Sequence, residues 1–178
     1  MDEDLWRDRS VFSFYPDQIS SVSVQYTHLR DSSFSISLSN TNAISIADPK
    51  GNNLADFDTL KAKQYLTYYS NIQYESLKND MRPELKDSIL AQGPVHIITL
   101  KNRNGKTFMV KTFPKPAESN TIDPITGKTD IEDPERMFAL INNDKDIVVI
   151  QYFVFGKLFP SLSYFKKKDA PKIISAKK

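Results

Sequence analysis

The stretch DPERMFALINNDKDIVVIQYFVF, residues 133–155, decides the fold that the sequence predicts. Asp133 can cap a helix, and Pro134 suits the first helical position because it has no N–H to lose there. The apolar residues that follow at helical spacing are Met137, Leu140 and Ile141. Asn142 and Asn143 tolerate the left-handed conformation that ends many helices. The stretch therefore predicts a helix of about three turns that begins at Asp133.

A strand is predicted after this helix, because the sequence alternates from Asp146 onward. One predicted face carries Ile147, Val149, Gln151, Phe153 and Phe155, and the other carries Val148, Ile150, Tyr152 and Val154. Both faces are apolar, so the strand is expected to lie centrally in a sheet that is covered on each side.

The rest of the chain predicts further antiparallel strands. Apolar residues alternate with serines in three stretches, 19–26, 34–38 and 44–46, which is typical of a meander with one wet face. Residues 71–77 are predicted to form another strand. Asn104-Gly105 lies between two strand-like runs, and this pair is favoured in hairpin turns that need positive φ.

Two more helices are predicted before that hairpin. An amphipathic helix at 55–70 has an aspartate cap, and its expected apolar face is Phe57, Leu60, Tyr65, Leu66 and Tyr69. A shorter helix at 82–92 is expected to turn Leu85 and Ile89 inward. Together these elements predict an α+β fold of antiparallel strands with packed helices.

One α+β domain is predicted over residues 5–165, followed by a basic tail at 166–178. The tail has six lysines and one aspartate in a chain whose formal net charge is +2. A solvated, disordered end is the favoured interpretation, and nucleic-acid binding is not expected. The order hairpin, capped helix, Ile-Gln-Tyr strand occurs at 19–77 and at 94–155, which leaves open two similar hairpin-helix-strand lobes.

The sequence offers no catalytic motif. Two GKT triplets, 105–107 and 127–129, lack the glycine that a phosphate loop needs five residues earlier. His28 and His96 match no zinc spacing, and the absence of cysteine excludes thiolate chemistry. No enzyme activity, cofactor or metal is therefore predicted, and no window approaches the roughly 18 to 20 apolar residues of a membrane span.

A long excursion at 114–133 is the predicted partner or ligand loop, because long loops in compact domains are often functional. Its candidate contact residues are Asp123, Asp130 and Glu132, with Tyr68 from the first helix. The carboxylates could hold calcium, but their spacing matches no calcium loop, and a solvated loop is preferred. Tyrosines near Tyr68 could stack on a glycan, although burial of most of them is the preferred interpretation.

Three segments carry a resemblance to a known family: LWRDRSVFSFYPDQISSVSV, DFDTLKAKQYLTYYSNIQYES and DPERMFALINNDKDIVVIQYFVF, which is followed by LSYF. Over roughly residues 5–165 the chain resembles a Bacteroidetes-type, lipoprotein-like cell-envelope family with a domain of unknown function. Related domains occur in gliding-type ABC transporter auxiliary proteins. The resemblance implies a periplasmic or other extracytoplasmic location, and a full-length protein anchored to the membrane outside this chain. It supplies no catalytic residues.

Two function classes follow. The first is a non-catalytic envelope domain for protein interaction or scaffolding, with a protein partner in the envelope. The alternative is a small-ligand or glycan-binding module that uses exposed aromatic residues and the acidic loop. A broad exposed apolar patch would favour the first class, and a pocket lined by exposed tyrosines would favour the second.

Overall fold

The fold is built on one eight-stranded antiparallel sheet. The computed structural model describes residues 8–117, 122, 125–127, 129 and 131–167. The strands are β1 (Ser10–Phe12), β2 (Ile19–Tyr26), β3 (Phe34–Leu38), β4 (Ile44–Ala47), β5 (Ile72–Gln73), β6 (Ser76–Leu77), β7 (His96–Asn102), β8 (Thr107–Pro116), β9 (Glu132–Ile141) and β10 (Asp146–Gln151). The helices are α1 (Thr59–Thr67), α2 (Pro83–Ala91) and α3 (Tyr152–Phe155).

The strand order of the large sheet is β4-β3-β2-β7-β8-β9-β10-β6, and β1 pairs with β5 separately. The predicted α+β class, with antiparallel strands and packed helices, is confirmed. The meander of β2, β3 and β4 and the β7–β8 hairpin are also confirmed. Gly105 has a φ of 80° in that hairpin turn, which is the conformation that favours glycine.

The two faces of this sheet are covered by different elements. The inner face carries residues such as Val22, Ile98, Ala139 and Ile150, and it packs against α1, α3 and the C-terminal segment 156–165. On the outer face, α2 covers only the part formed by β8, β9 and β10. The rest of the outer face is serine-rich and open, as the alternation in β2 and β3 predicts.

Residues 132–141 form strand β9, so the predicted helix from Asp133 is wrong. The local signals for a helix start are nevertheless used, since Asp133 Oδ1 accepts from the backbone N–H groups of Glu135 and Arg136 at 2.9 and 3.0 Å. These bonds shape the entry to a strand instead. β9 pairs with β8 on one side and β10 on the other, so long-range ladder bonds satisfy the backbone that a helix would have satisfied locally.

The Asn-rich stretch after β9 is a hairpin turn. Asn142, Asn143 and Asp144 have φ values of 52°, 57° and 64°, so the left-handed conformation predicted for the asparagines is present. It reverses the chain between two strands and does not end a helix. The carboxylate of Asp146 stabilises the turn by accepting from Asn79 Nδ2 at 2.7 Å and Asn142 Nδ2 at 2.6 Å.

β10 is buried on both faces, as predicted, but it lies next to the two-residue edge strand β6 and not centrally. It also ends at Gln151, and the predicted strand residues Tyr152–Phe155 form α3 instead. Extending the ladder from the pair Gln151–Arg136 would set Phe153 opposite Pro134. Proline has no N–H to donate, so the ladder stops there and the chain turns.

The two helices predicted at 55–70 and 82–92 are present as α1 and α2, with changes in which residues face inward. Asp58 caps α1 by accepting from the N–H groups of Leu60 and Lys61 at 3.0 and 3.1 Å. Leu60 was expected on the apolar face, but it is exposed because it lies well around the helix from Tyr65 and Leu66. In α2, Ile89 is buried, as predicted. Leu85 was also expected to face inward, but it is exposed.

The two-lobe hypothesis fails for residues 19–77 and 94–155. The described residues of the second segment form β7, β8, β9, β10 and the one-turn helix α3, with no equivalent of α1 among them. The predicted strand 71–77 is two short strands, of which β5 pairs with β1 and β6 pairs with β10. Ile72 and Ile150 therefore occupy unrelated positions, and the shared Ile-Gln-Tyr triplet reflects no structural repeat.

We expect Ile150→Ala to lower the free energy of unfolding by about 2–4 kcal/mol, because it removes a fully buried side chain from a packed interior. Urea denaturation measures this loss. Leu60→Ala is the matched control, and its change should stay within about 0.5 kcal/mol because the side chain is exposed. A loss below about 1 kcal/mol for Ile150→Ala would contradict its place in the core.

Candidate functional site

The ends of the predicted partner loop meet where β8 leaves the sheet and β9 enters it. Pro116 pairs with Glu132, and the N–H of Ala117 donates to the carbonyl oxygen of Ile131 at 3.1 Å. Glu132 is exposed at the first position of β9. Asp123 and Asp130 lie outside the described residues.

A pocket of about 410 Å³ lies beside this junction, and we call its lining the α3 corner. The corner consists of Pro134, Glu135, Arg136, Gln151, Tyr152 and Phe153. Its formation follows from the end of the β9–β10 ladder, after which the chain turns directly into α3. Tyr152 and Phe153 therefore lie in α3 and not in the strand that the sequence predicted. Phe153 is 93% exposed.

Many of the exposed apolar side chains belong to the predicted partner loop or to the α3 corner. Among the described residues, ten large hydrophobic side chains are exposed, and half of them belong to the excursion or the α3 corner: Ile122, Ile125, Ile131, Tyr152 and Phe153. Single exposed hydrophobics are ordinary on protein surfaces, but a local concentration marks a surface that another molecule can cover.

The charges near the corner are ordered and mainly negative. Arg136 Nε donates to both carboxylate oxygens of Glu75 at 2.8 and 3.1 Å, and its Nη1 donates to Glu135 at 3.2 Å. Lys115 Nζ donates to Asp133 at 2.8 Å. The net charge around the corner is therefore −2. It comes from four carboxylates and two cations: Glu75, Glu132, Asp133 and Glu135, with Lys115 and Arg136.

Two titratable groups report this environment. Partial burial alone would raise the pKa of Asp133, but hydrogen bonds from Lys115 and from backbone N–H groups lower it below the usual value. Burial, followed by the negative charges of Glu132 and Asp133, raises the pKa of Tyr152. Asp133 is therefore held as a carboxylate, and Tyr152 as a neutral phenol, at neutral pH.

Tyr68 lies in a short helical turn after α1 and is half-buried against the core. Its ring is near Tyr65, and Lys157 Nζ is 5.7 Å from the ring centre. None of the contacts in the described part of the chain joins it to Glu132. Tyr65, Tyr69 and Tyr74 are buried, which confirms that most of these tyrosines serve the core.

The structure also contains a partly buried polar cluster under the C-terminal segment. Tyr26 donates its hydroxyl proton to the carbonyl oxygen of Phe159 at 2.5 Å, and the ring of His96 stacks on Phe159 with centroids 4.2 Å apart. His96 Nδ1 is 3.0 Å from Thr112 Oγ1. His96 is thus a half-buried residue at the start of β7.

Burial shifts the titration of this cluster. Desolvation raises the pKa of Tyr26 to about 12 and lowers the pKa of His96 to about 4. Both groups are therefore neutral at pH 7, and both are engaged in holding the C-terminal segment. Neither lines the α3 corner, so the cluster is an element of the fold.

Comparisons with protein-family models, with curated protein sequences and with solved structures found no match to the chain. Within the described residues, no three His, Asp or Glu side chains come together as a metal site. No helix in that part of the chain is long and apolar enough to cross a membrane. Function is therefore inferred from the chain's own residues.

The α3 corner was missed by sequence reasoning for an identifiable reason. The run from Ile147 to Phe155 is apolar except for Gln151, so it fits a strand and a helix equally well over its last four residues. Pro134 was the available signal, since it cannot continue the ladder opposite Phe153. The predicted residue Glu132 nevertheless lies at the edge of this site.

We expect stability to fall as the pH drops from about 6.5 to about 4, because the unfolded chain binds a proton at His96 that the folded chain excludes. Above pH 6.5 this penalty is absent. His96→Gln should flatten the difference in urea midpoint between pH 7 and pH 5, whereas His28→Gln, at an exposed histidine, should retain it. Equal pH slopes in the wild-type protein and His96→Gln would contradict the assignment.

Proposed function

We propose that the chain is a non-catalytic protein-interaction domain that docks a partner through the α3 corner. The observation that carries this proposal is that Phe153 is exposed, although the two residues that follow it in α3 pack against the core. Phe155 is fully buried, and Val154 packs against the inner-face core. The ring of Phe153 is therefore presented to solvent from a fixed backbone.

An aromatic ring held in this way suits the centre of an interface. Aromatic side chains dominate binding energy at protein interfaces, and their few rotatable bonds limit the entropy lost on docking. Covering a fully exposed phenylalanine is worth about 1.5–3 kcal/mol. Tyr152 and Pro134 extend the apolar contact beside it, and Ile131 lies just before the same strand.

The charge around the ring indicates the chemistry of the partner. Glu132 and Glu135 are exposed on the side of β9, while Arg136 and Lys115 are already paired with carboxylates. A partner segment that carries lysine or arginine beside an apolar side chain would match this rim. Exposed charges of this kind mainly accelerate association and select the partner.

A location in the cell envelope is part of the same proposal, and it is supported by the sequence resemblance alone. Fractionation of the source cell tests the location of the full-length protein. Protease is added to intact cells and to cells in which only the outer membrane has been permeabilised. Protection in both preparations would contradict an extracytoplasmic domain.

The glycan-binding alternative in its original form has less support. It required exposed tyrosines, whereas Tyr65, Tyr69 and Tyr74 are buried and Tyr68 is half-buried. These four tyrosines therefore offer little ring surface for a sugar to stack on. Protein interaction remains the function that the exposed corner supports best.

A photocrosslinking amino acid at position 153 should yield a specific adduct in the source cell, because the ring would lie against the partner. The same amino acid at position 60, which is exposed on α1, is the control. With the partner identified and purified, we expect Phe153→Ala to weaken binding by about tenfold or more, and Leu60→Ala to leave it unchanged. Equal adducts at both positions, or unchanged affinity in Phe153→Ala, would contradict docking at the corner.

Replacing residues 118–130 with a short Gly/Ser linker should shift the melting temperature by no more than about 3 °C. The reason is that Ala117 and Ile131 are already joined by a backbone hydrogen bond, so a short connection can close the loop without moving β8 or β9. Calorimetry measures this shift. A larger loss would assign the excursion to the packed interior.

A further inference from the structure

A second cleft, of about 530 Å³, lies on the β4-β3-β2 side of the sheet, away from the α3 corner. Two connections form its walls: residues 27–33 between β2 and β3, and the turn at 48–51 after β4. Its polar lining includes Ser23, Gln25, Thr27, Arg30, Ser35 and Asp48. The cleft shares no lining residue with the corner.

The sheet places the neutral polar groups of this cleft close together. Ser23 and Ser35 are direct partners across β2 and β3, where opposed Cβ atoms are about 4.5–5.5 Å apart. Gln25 projects from the same face of β2, two residues further on, at a distance of about 7 Å. None of these three side chains makes a hydrogen bond with another described residue, so all three can bind a ligand in place of water.

Arg30 supplies the positive charge of the cleft. It occupies a short helical turn that is fixed by a hydrogen bond from Ser33 N–H to the Arg30 carbonyl at 3.0 Å. Its guanidinium makes no hydrogen bond or ion pair within the described part of the chain. By contrast, Arg9, Arg103 and Arg136 each donate to protein acceptors.

The carboxylate of Asp48 is hydrogen-bonded within its own turn. Its carboxylate accepts from the N–H groups of Lys50 and Asn52 at 2.9 and 2.8 Å, and from Asn52 Nδ2 at 3.0 Å. These bonds fix the wall of the cleft and engage the carboxylate oxygens of Asp48 within the turn. Arg30 is thus left as the cation in the cleft with no protein acceptor among the described residues.

We propose that this cleft binds an acidic sugar, with Arg30 holding the carboxylate and the Ser23, Ser35 and Gln25 side chains binding ring hydroxyls. A guanidinium matches a carboxylate through two parallel hydrogen bonds. Hydroxyl and amide groups both donate and accept, which is what sugar hydroxyls require. A volume of about 530 Å³ lies within the usual range for small-ligand sites.

The balance of groups distinguishes this ligand from a simple anion. A phosphate site generally uses several backbone N–H groups or several cations. Here one cation adjoins a row of neutral hydroxyl and amide groups, so a ligand with one negative charge and many hydroxyls fits better. We expect a roughly millimolar dissociation constant for this ligand.

Titration of ¹⁵N-labelled protein with D-glucuronate, followed by NMR, tests the proposal, with D-glucose and inorganic phosphate as comparison ligands. We expect saturable shifts from glucuronate that concentrate at residues 23–35 and 48–51. Glucose, which lacks the carboxylate, and phosphate, which lacks the ring hydroxyls, should each bind about tenfold more weakly.

The variants separate the roles of charge and geometry. Arg30→Gln should weaken glucuronate binding by about tenfold or more. Arg30→Lys should give an intermediate loss, because lysine keeps the charge but cannot form two parallel hydrogen bonds to the carboxylate. Arg82→Gln removes an exposed arginine elsewhere and should have no effect. Ser23→Ala should weaken glucuronate and glucose in the same proportion.

Three results would overturn the proposal: no saturable shift with glucuronate, unchanged binding in Arg30→Gln, or phosphate binding as tight as glucuronate. The NMR spectrum of each variant shows directly whether it remains folded. Phe153→Ala should bind glucuronate like the wild-type protein, so this test and the test of partner docking can fail independently.

Discussion

The fold depends on hydroxyl groups that donate to the backbone of an irregular C-terminal segment. Segment 156–165 covers the inner face of the sheet without forming a regular ladder, so its buried carbonyl oxygens need donors from elsewhere. Tyr26 donates to Phe159 at 2.5 Å, and Tyr65 donates to Leu158 at 3.1 Å. Because Tyr65 uses its proton there, Tyr69 must donate to Tyr65, across 2.6 Å.

This chain of donors also determines the position of the α3 corner. Leu158 and Phe155 are fully buried beneath the segment that the tyrosines hold. With Phe155 anchored inside, the short helix α3 must carry Phe153 on its opposite side, in solvent. The exposed ring is therefore a consequence of how the inner face is closed, which explains how a side chain so apolar is held outside.

Sequence reasoning succeeded where a few neighbouring residues determine the structure. The Asn104-Gly105 turn, the Asp58 cap and the serine alternation of β2 each have local chemistry that allows one outcome. Asp133 is different, because its side chain can accept the next backbone N–H groups in a helix cap or at a strand entry. Pairing with β8 and β10 decides between them, and those partners are distant in sequence. The site was only partly foreseen for the same reason.

The unequal covering of the outer face explains why two surfaces of opposite character occur on one sheet. Helix α2 packs on the apolar part formed by β8, β9 and β10 and covers it. The serine-lined part needs no cover, because its side chains are satisfied by water, and its loops can build a polar cleft at Arg30. The acidic, aromatic corner lies at the other side, where the β9–β10 ladder ends. The linings of the two surfaces share no residue, and the strands of one antiparallel sheet lie between them. Each surface is therefore built by a different part of the same sheet.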